Sequence, residues 1–369
     1  MKKITILGGY GNAGYWISYY LLKFMGDIEI IIAGRNYQKA ESASAKLKKA
    51  FPGSFITAMH VDASEIDSLN RAFSQTDLVI VASSTMQYQR QIIDCAIENN
   101  IDYFDINLSS KEKLSYLFSK EKIIKEKNLS FITDGGFHPG IPGALVRYAS
   151  NKFDSIETAK IYSAIKIDWK PLNITKDTAK EMILEFKDFN SDIYKNGSWQ
   201  KPKSMYVKHE FEKPWGSMFT APMFLEELRN LAQEISTLKE MGFYVSGFNW
   251  FTDWLVFPLI FIILPVFGNH SASLLGQLLR WGLYKFSKPP FGLVLEIVAT
   301  GTKDNKTIEK KISLYHEDGY IFTAIPAVAC LKQYLSKKGK PDVWLQANYV
   351  EPEIFFSEMV NMGVKLTSR

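Results

Sequence analysis

Short runs of β-branched and other apolar residues alternate with amphipathic stretches of helical period over the first part of the chain. The apolar runs predict strands at Lys3–Leu7, Glu29–Ala33, Phe55–Val61, Leu78–Ala82, Asp102–Asp105 and Ser130–Thr133. The amphipathic stretches predict helices at Ala13–Met25, Tyr37–Lys49, Ser64–Phe73, Tyr88–Glu98 and Lys111–Glu126. Such alternation is typical of βαβ units. We therefore predict an α/β fold that begins with a doubly wound parallel sheet.

The pattern changes after Asp134, where longer strand-like runs and Trp- and Pro-rich loops follow. Leu293–Thr300 and Lys311–Tyr315 predict an antiparallel hairpin with a turn around Lys303-Asp304-Asn305. Thr323–Tyr334 predicts an apolar helix, and Pro341–Arg369 predicts a loop, a short helix and a tail. We expect three segments: residues 1–135, a doubly wound domain; residues 136–322, an α+β domain for substrate binding or dimerisation; and residues 323–369, a helical segment that can return to the first domain.

One segment of the second domain, residues 254–267, is apolar throughout (WLVFPLIFIILPVF). As a helix it would extend about 21 Å, short of a bilayer core of about 30 Å, and Pro258 and Pro265 interrupt it. A helix that spans a membrane is therefore not expected. Three interpretations stay open: a buried core segment, a dimer interface, or a segment that lies in a membrane surface.

Composition removes several classes of protein. Apolar residues make up 46% of the chain and charged residues 22%, which is ordinary globular composition. The formal charge of +5 is weak and evenly spread, so we expect no nucleic-acid partner. Cys95 and Cys330 are far apart and match no disulfide or metal spacing, and the few apolar residues before Gly8 are too short for a signal peptide. We expect a cytoplasmic protein without a metal site, either free or peripherally bound to a membrane.

The first strand is followed by Gly9-Tyr10-Gly11-Asn12-Ala13-Gly14, which matches G-x-G-x-x-G between a strand and a helix. The first glycine permits a tight turn, the second lets the backbone approach a pyrophosphate, and the third lets the helix pack closely. The N–H groups at the helix start then face the negative charge. The motif in this context predicts a Rossmann domain that binds a dinucleotide.

The choice of nicotinamide cofactor is made at the end of the second strand, where an acidic residue would bind the ribose 2′-hydroxyl of NAD. This sequence has no acid there; it has Arg35, whose planar fork suits a 2′-phosphate, with Lys39 as a second charge. We therefore expect NADP(H) to be preferred over NAD(H). Asp62, at the end of the third strand, is a candidate for the adenine edge or for a helix cap. Ser83 and Ser84, after the fourth strand, complete the candidate cofactor site.

Several segments together resemble the saccharopine dehydrogenase-like family of NADP-dependent oxidoreductases. They are the glycine loop with Ala33-Gly34-Arg35, the passage Asp94-Cys95-Ala96-Ile97 with Tyr103 and Asp105, the turn Gly136-Phe137-His138-Pro139-Gly140, and His316-Glu317-Asp318-Gly319-Tyr320 with Thr323-Ala324. The resemblance covers most of the chain. It implies a Rossmann domain followed by a substrate domain, an NADP(H) cofactor and hydride transfer.

Two positions depart from the family pattern. His138 occupies the place of the aspartate in the family's GxDPG turn, and Ser83-Ser84-Thr85-Met86 replaces a Gly- and Pro-rich loop. Both departures weigh against the amino-acid chemistry of the founding enzymes. The apolar segment 254–267 is similar instead to the branch that includes lipid-linked enoyl reductases and homologues on membranes or lipid droplets.

Hydride transfer needs an acid or base near the nicotinamide. His138 directly follows the sixth strand, where ligands of doubly wound sheets bind, and is the first candidate; a turn histidine bonded to backbone is the alternative. His316 and Asp318 are the second candidate group, although Asp-Gly is also a plain turn signal. Arg147 and Arg229 could bind a substrate carboxylate, or could be solvated surface residues.

The leading hypothesis is an NADP(H)-dependent oxidoreductase acting on a small molecule, with a lipid-type enoyl or carbonyl compound favoured by the apolar segment. One alternative is a saccharopine-like dehydrogenase acting on an amino acid or imine. Another is a non-catalytic nucleotide-binding protein that docks on membranes and acts as a scaffold. A homodimer is compatible with each hypothesis.

Overall fold

The computed structural model describes residues 1–83, 85–108, 110–172, 174–336 and 339–369. Within these ranges the strands are β1 (Lys2–Leu7), β2 (Ile28–Gly34), β3 (Phe55–His60), β4 (Leu78–Val81), β5 (Asp102–Asp105), β6 (Ser130–Thr133), β7 (Ser155–Lys166), β8 (Ile193–Lys195), β9 (Ser198–Gln200), β10 (Val207–Phe211), β11 (Gly216–Pro222), β12 (Glu240–Ser246), β13 (Gly292–Lys303), β14 (Lys306–His316), β15 (Asp342–Leu345) and β16 (Lys365–Ser368).

Helices connect these strands. They are α1 (Asn12–Phe24), α2 (Tyr37–Ala50), α3 (Ile66–Phe73), α4 (Gln89–Glu98), α5 (Lys111–Ser119), α6 (Glu121–Glu126), α7 (Pro142–Ser150), α8 (Lys176–Leu184), α9 (Leu231–Glu234), α10 (Phe257–Phe267), α11 (Asn269–Phe286), α12 (Gly319–Ser336), α13 (Gln346–Tyr349) and α14 (Pro352–Asn361). Short 3₁₀ turns occur at Met86–Tyr88, Glu185–Asp188 and Glu226–Leu228, and a π-helical turn at Thr252–Val256.

The chain divides into two compact units, each built from two stretches of sequence. The first unit comprises Met1–Leu145 and Tyr320–Val364, and the second comprises Val146–Gly319 and Lys365–Arg369. The first unit therefore extends beyond residue 135, where the sequence pattern changes. The residues after 135 pack within the first unit: the ring of Phe137 contacts that of Phe322, with centroids 4.7 Å apart, and both residues belong to this unit.

The first unit contains a seven-stranded sheet in the described residues, in the order β15-β6-β5-β4-β1-β2-β3, with all neighbouring strands parallel. The six strands predicted from the apolar runs are present, and the strand order reverses between β1 and β4. Ligands of doubly wound sheets bind outside the carboxyl ends of the strands at this reversal. The predicted α/β fold with a doubly wound sheet is confirmed.

The seventh strand, β15, comes from the segment that the sequence analysis assigned to a loop, a short helix and a tail. That prediction was wrong for β15 and β16. β15 pairs with β6 from Asp342↔Ser130 to Leu345↔Thr133 and buries Val343 and Leu345. The strand is short, so its alternation carries little signal, and it is stabilised by a partner strand that is distant in sequence.

The segment after β15 also forms hydrogen bonds with the turn that follows β6. Gln346 is fully buried at the start of α13, and its side-chain oxygen accepts a hydrogen bond from the Gly136 N–H at 3.1 Å. The side-chain amide of Gln346 donates to the Gly136 carbonyl at 3.2 Å. One side chain thus satisfies both backbone groups of a buried glycine.

The second unit is an α+β unit built on a mixed sheet. In the described part of the chain this sheet has nine strands, with the path β10-β11-β12-β7-β13-β14-β16 and with β8 pairing to β12 and β9. The predicted hairpin is present as β13 and β14, whose turn residues Asp304 and Asn305 both have positive φ angles of 50° and 58°. Two successive residues with positive φ are typical of a type I′ turn, whose backbone twist matches that of the strands on either side.

The apolar segment 254–267 lies in a helical layer of the second unit. Val256, Ile260 and Leu264 are buried there in a cluster that includes residues of α8 and α11. On the solvent side of α10, Ile262 is 66% exposed and Val266 is 73% exposed. The segment is therefore half core and half surface. No helix among the described residues is both long enough and apolar enough to cross a membrane.

Candidate functional site

The glycine loop after β1 is a tight turn closed by its own backbone. Gly8 has a φ of 80°, and the Gly11 N–H donates to the Gly8 carbonyl at 2.8 Å. A Cβ atom at Gly14 would lie 2.3 Å from that carbonyl oxygen, closer than any real side chain allows. A glycine at position 14 is thus required for α1 to start against the loop.

The start of α1, directly after this turn, presents backbone N–H groups as hydrogen-bond donors. Its N-cap is Gly11, which has no side chain that could accept a hydrogen bond from these donors. The first N–H groups of a helix lack intrahelical partners and favour an anion. The loop Gly9–Gly14 therefore fits the pyrophosphate of a dinucleotide, and the cradle exists because side chains are absent where the backbone must approach.

The loop that carries Arg35 lies at the end of β2. Arg35 is exposed, and the following residue, Asn36, is the N-cap of α2, where its side-chain oxygen accepts a bond from the Lys39 N–H at 2.9 Å. Tyr10 of the glycine loop reaches this loop, and its hydroxyl oxygen accepts a hydrogen bond from the Asn36 N–H at 3.2 Å. The glycine loop and the loop that carries Arg35 are thus in direct contact.

Asp62 follows β3 and is engaged locally. Its carboxylate accepts bonds from the N–H and the hydroxyl of Ser64, at 2.9 and 2.7 Å. These bonds, with a smaller contribution from the charge of Arg35, hold the pKa of Asp62 below its ordinary value. The residue forms a turn leading towards α3, whose N-cap is Glu65.

The loop after β4 approaches the glycine loop. A Cβ atom at Gly8 would lie 2.7 Å from the Cβ atom of Ser83. The Ser83 hydroxyl is 3.2 Å from that of Thr85. Ser84, the other predicted cofactor residue of this loop, lies outside the described residues.

His138 occupies the turn after β6, at the carboxyl edge of the sheet. The turn starts at Asp134, with a φ of 56°, and contains Gly136 and Gly140, with φ angles of 109° and 123°. Gly140 is packed tightly, since a Cβ atom at this position would lie 2.5 Å from the amide nitrogen of Gln346. Burial lowers the pKa of the half-buried His138 to about 4, so its ring is uncharged at neutral pH.

A buried ion network lies under this turn, and the sequence analysis did not identify it. The Lys113 ammonium is 3.2 Å from the Asp105 carboxylate and 2.8 Å from that of Asp134, and all three side chains are fully buried. The ammonium also donates to the Asn107 carbonyl at 2.7 Å. Burial alone would lower the pKa of Lys113, but the two carboxylates outweigh it and hold the pKa above its ordinary value.

Neutral groups complete the network around Asp105. The hydroxyls of Tyr103 and Thr133 donate to its carboxylate at 2.8 and 2.7 Å. The signal that could have found Lys113 is its position four residues before Leu117, on the buried face of α5. The network joins the ends of β5 and β6 to the turn that contains His138.

The other two predicted catalytic residues, His316 and Asp318, and the two arginines predicted to bind substrate lie in the second unit. At the end of β14, the Asp318 N–H donates to Nδ1 of His316 at 3.0 Å, so the two residues share a local turn. Arg147 lies on α7. Arg229 makes a two-point contact with Glu226, with one N–O distance of 2.9 Å, and stacks on Phe224. The fork of Arg229 is therefore already engaged by a neighbouring carboxylate.

Comparisons with known proteins bear on this arrangement. Residues 4–128 match the family described as the saccharopine dehydrogenase NADP-binding domain. Among curated proteins, none matches the sequence. The predicted resemblance to this family is confirmed for residues 4–128, and the NADP-binding description of the matched domain agrees with the predicted NADP(H) cofactor.

Solved structures resemble the whole chain. Apo saccharopine dehydrogenase (L-Glu forming) from Saccharomyces cerevisiae matches with a TM-score of 0.70 and 13% identity, over 100% of this chain and 99% of that one. DAP dehydrogenase from C. glutamicum matches with a TM-score of 0.48 and 8% identity, over 98% of both chains. The first match shows a shared fold that includes both units.

Replacing Lys113 by methionine is expected to destabilise the protein by about 3–5 kcal/mol, because two carboxylates would remain buried without their cation. Urea unfolding followed by tryptophan fluorescence measures the change. The control is Lys122→Met on α6, whose exposed side chain pairs with Glu126 at 3.9 Å and should change stability by less than about 0.5 kcal/mol. Equal midpoints for the Lys113 variant and the unaltered protein would contradict the described network.

Stability is also expected to depend on His138 below neutral pH. Its folded-state pKa of about 4 lies under the ordinary 6.5, so the unfolded chain takes up the proton first. Full stability is present above pH 6.5, and about 3 kcal/mol is lost as the pH falls to about 4. The measurement is the unfolding free energy of the unaltered protein minus that of His138→Gln across this range, with the exposed His270→Gln as the control. A difference that does not vary with pH would refute the prediction.

Proposed function

Because residues 4–128 match the saccharopine dehydrogenase NADP-binding domain, we propose that the protein is an NADP(H)-dependent oxidoreductase that transfers hydride between this cofactor and a small molecule. The observation that carries the proposal is the glycine loop Gly9–Gly14 directly beside Arg35, at the carboxyl edge of the first sheet. When bound, the cofactor supplies the hydride chemistry. The protein positions the cofactor and supplies the positive charge that binds its phosphate groups.

Each part of the loop region has a task in this proposal. The N–H groups at the start of α1 bind the pyrophosphate, and Arg35 pairs with the 2′-phosphate through its planar fork. Asp62 lies near Arg35 and holds the turn after β3. Ser83 lines the loop beside Gly8.

His138 is the candidate for proton exchange in the reaction. It lies at the carboxyl edge of the sheet, on a turn that Gln346 and the Lys113 network hold from two sides. With a pKa of about 4 its ring is neutral at physiological pH and can accept a proton or donate a hydrogen bond to a carbonyl oxygen. His316 and Asp318 bond to each other in a turn, which favours a structural role for them.

The substrate class favoured here is an enoyl or carbonyl compound with an apolar tail. Binding of a dicarboxylate calls for available arginine forks, and Arg229 is engaged by Glu226. Arg147, on α7, is the other residue predicted for a substrate carboxylate. The alternative, an amino acid or imine, is supported by the shared fold with saccharopine dehydrogenase from Saccharomyces cerevisiae.

A second candidate function is docking of the second unit on a membrane surface, which would make the protein a peripheral, cytoplasm-facing enzyme or scaffold. Trp254, Ile262 and Val266 are 55%, 66% and 73% exposed. From Trp254 to Leu295 the chain contains no Asp or Glu, whereas Lys285 and Lys288 are exposed. An apolar surface without acids and with cations nearby suits an anionic lipid surface. A homodimer that covers the same residues is the competing occupant.

Arg35→Ala is expected to weaken NADPH binding by about tenfold or more and to leave NADH binding unchanged, because only NADPH carries the 2′-phosphate. Fluorescence titration of the purified protein with each dinucleotide measures both affinities. Arg71→Ala, an exposed arginine of the same unit, is the matched control. Tighter binding of NADH than of NADPH by the unaltered protein would overturn the proposed role of Arg35.

Membrane docking is tested by flotation with phosphatidylcholine vesicles, with and without phosphatidylglycerol. We expect the unaltered protein to float with the anionic vesicles and the double variant Ile262→Glu, Val266→Glu to stay below, because charge at two exposed apolar positions opposes insertion. Phe55→Glu, at a position 61% exposed in the first unit, is the control. Absence of flotation of the unaltered protein, together with a dimer that the double variant dissociates, would assign this surface to self-association.

A further inference from the structure

We infer that Tyr10 is a positioning residue that determines cofactor specificity: it joins the glycine loop to the Arg35 loop and so sets the preference for a 2′-phosphorylated dinucleotide. The inference rests on the proposed function and deepens it. It assigns to the variable second position of the glycine motif a task that the motif itself does not specify, since the motif requires only its three glycines.

The first observation is a close contact between Tyr10 and Gly34, the last residue of β2. A Cβ atom at Gly34 would lie 2.5 Å from Cε1 of the Tyr10 ring and 2.8 Å from its hydroxyl oxygen. No side chain fits in that space, so a glycine is required at position 34 while the ring stays where it is. The tyrosine ring therefore lies directly on the backbone at the end of β2.

The second observation is the hydrogen bond at the far end of the same ring. The Asn36 N–H donates to the Tyr10 hydroxyl oxygen at 3.2 Å. Tyr10 thus contacts Gly34 through its ring and Asn36 through its hydroxyl. Arg35 is the residue between them, and both of its chain neighbours are held by one side chain.

The backbone on each side of this contact is itself restrained. In the glycine loop, the Gly9 N–H donates to the Ile6 carbonyl at 3.0 Å, and the Gly11 N–H donates to the Gly8 carbonyl at 2.8 Å. In the other loop, the side chain of Asn36 caps α2. Tyr10 therefore connects two ordered segments, and its contact transmits the position of one to the other.

This arrangement matters for Arg35 because the arginine side chain is exposed. A long exposed side chain loses conformational freedom when it binds, and a fixed backbone reduces the number of orientations it must give up. In the proposed function the glycine loop would bind the pyrophosphate of NADP(H) and of NAD(H) alike, whereas Arg35 would pair with the 2′-phosphate that NADP(H) alone carries. Loss of the Tyr10 hydroxyl should therefore weaken NADPH binding selectively.

The test is fluorescence titration with NADPH and NADH of the full chain and of Tyr10→Phe, which keeps the ring on Gly34 and removes the hydrogen bond. We expect the Kd for NADPH to rise about threefold to tenfold and the Kd for NADH to stay unchanged. Tyr19→Phe is the control, since Tyr19 lies on α1 and its ring contacts Trp16 and Phe51. It should bind both dinucleotides as the unaltered protein does.

A double-variant cycle separates a positioning role from a general effect on the fold. If Tyr10 acts through Arg35, Tyr10→Phe should have no further effect on NADPH affinity once Arg35 has been replaced by alanine. Gly34→Ala provides an independent route, because the added methyl group must displace the Tyr10 ring. We expect it to reduce the NADPH preference as well, with thermal unfolding recorded for each variant.

The outcomes distinguish the inference from the proposal on which it rests. If the unaltered protein shows no preference for NADPH, the proposed role of Arg35 fails and the inference fails with it. If the protein prefers NADPH and Arg35→Ala abolishes the preference, but Tyr10→Phe changes neither affinity or weakens both equally, the inference alone is overturned. Additive effects of Tyr10→Phe and Arg35→Ala would overturn it too.

Discussion

The site depends on one buried cation. Lys113 lies between Asp105 and Asp134 without solvent, and through them it fixes the carboxyl ends of β5 and β6 relative to each other. Asp134 is also the first residue of the turn that carries His138, and its left-handed backbone needs such support. Removal of the cation from a group of this kind is costly because the desolvated carboxylates cannot be rehydrated in place.

The parts of the site that follow local rules could be predicted from the sequence. The glycine loop could be placed between β1 and α1 because its motif is short and directly follows a strand. Arg35 stays a prediction, made from the missing acid at the end of β2. Lys113 and Gln346 were missed because nothing local marks them. A lysine in the first turn of a helix is ordinarily solvated. Gln346 is separated in sequence by 210 residues from Gly136, its hydrogen-bond partner.

The difference between local sequence signals and contacts that are distant in sequence also explains which strands could be predicted. β2 and β4 are almost continuous apolar runs and are almost fully buried, as is usual in parallel sheets, and such runs are visible in the sequence. β15 and β16 have four residues each, and they lie outside the alternation of strands and helices that indicated the equally short β4, β5 and β6. Their pairing partners, β6 and β14, determine that they are strands, and a single sequence does not reveal that context.

The C-terminal segment has a consequence for how the chain acquires its structure. β15 completes the sheet of the first unit and β16 completes that of the second. One side of β6 and one side of β14 stay unpaired until residues 342–345 and 365–368 have been synthesised, although most of each sheet is available much earlier. Contacts of such wide sequence separation slow folding, and open strand edges invite pairing with other chains. The order of synthesis therefore leaves β6 and β14 with exposed strand edges while the strands that precede β15 and β16 in the sequence can already pair.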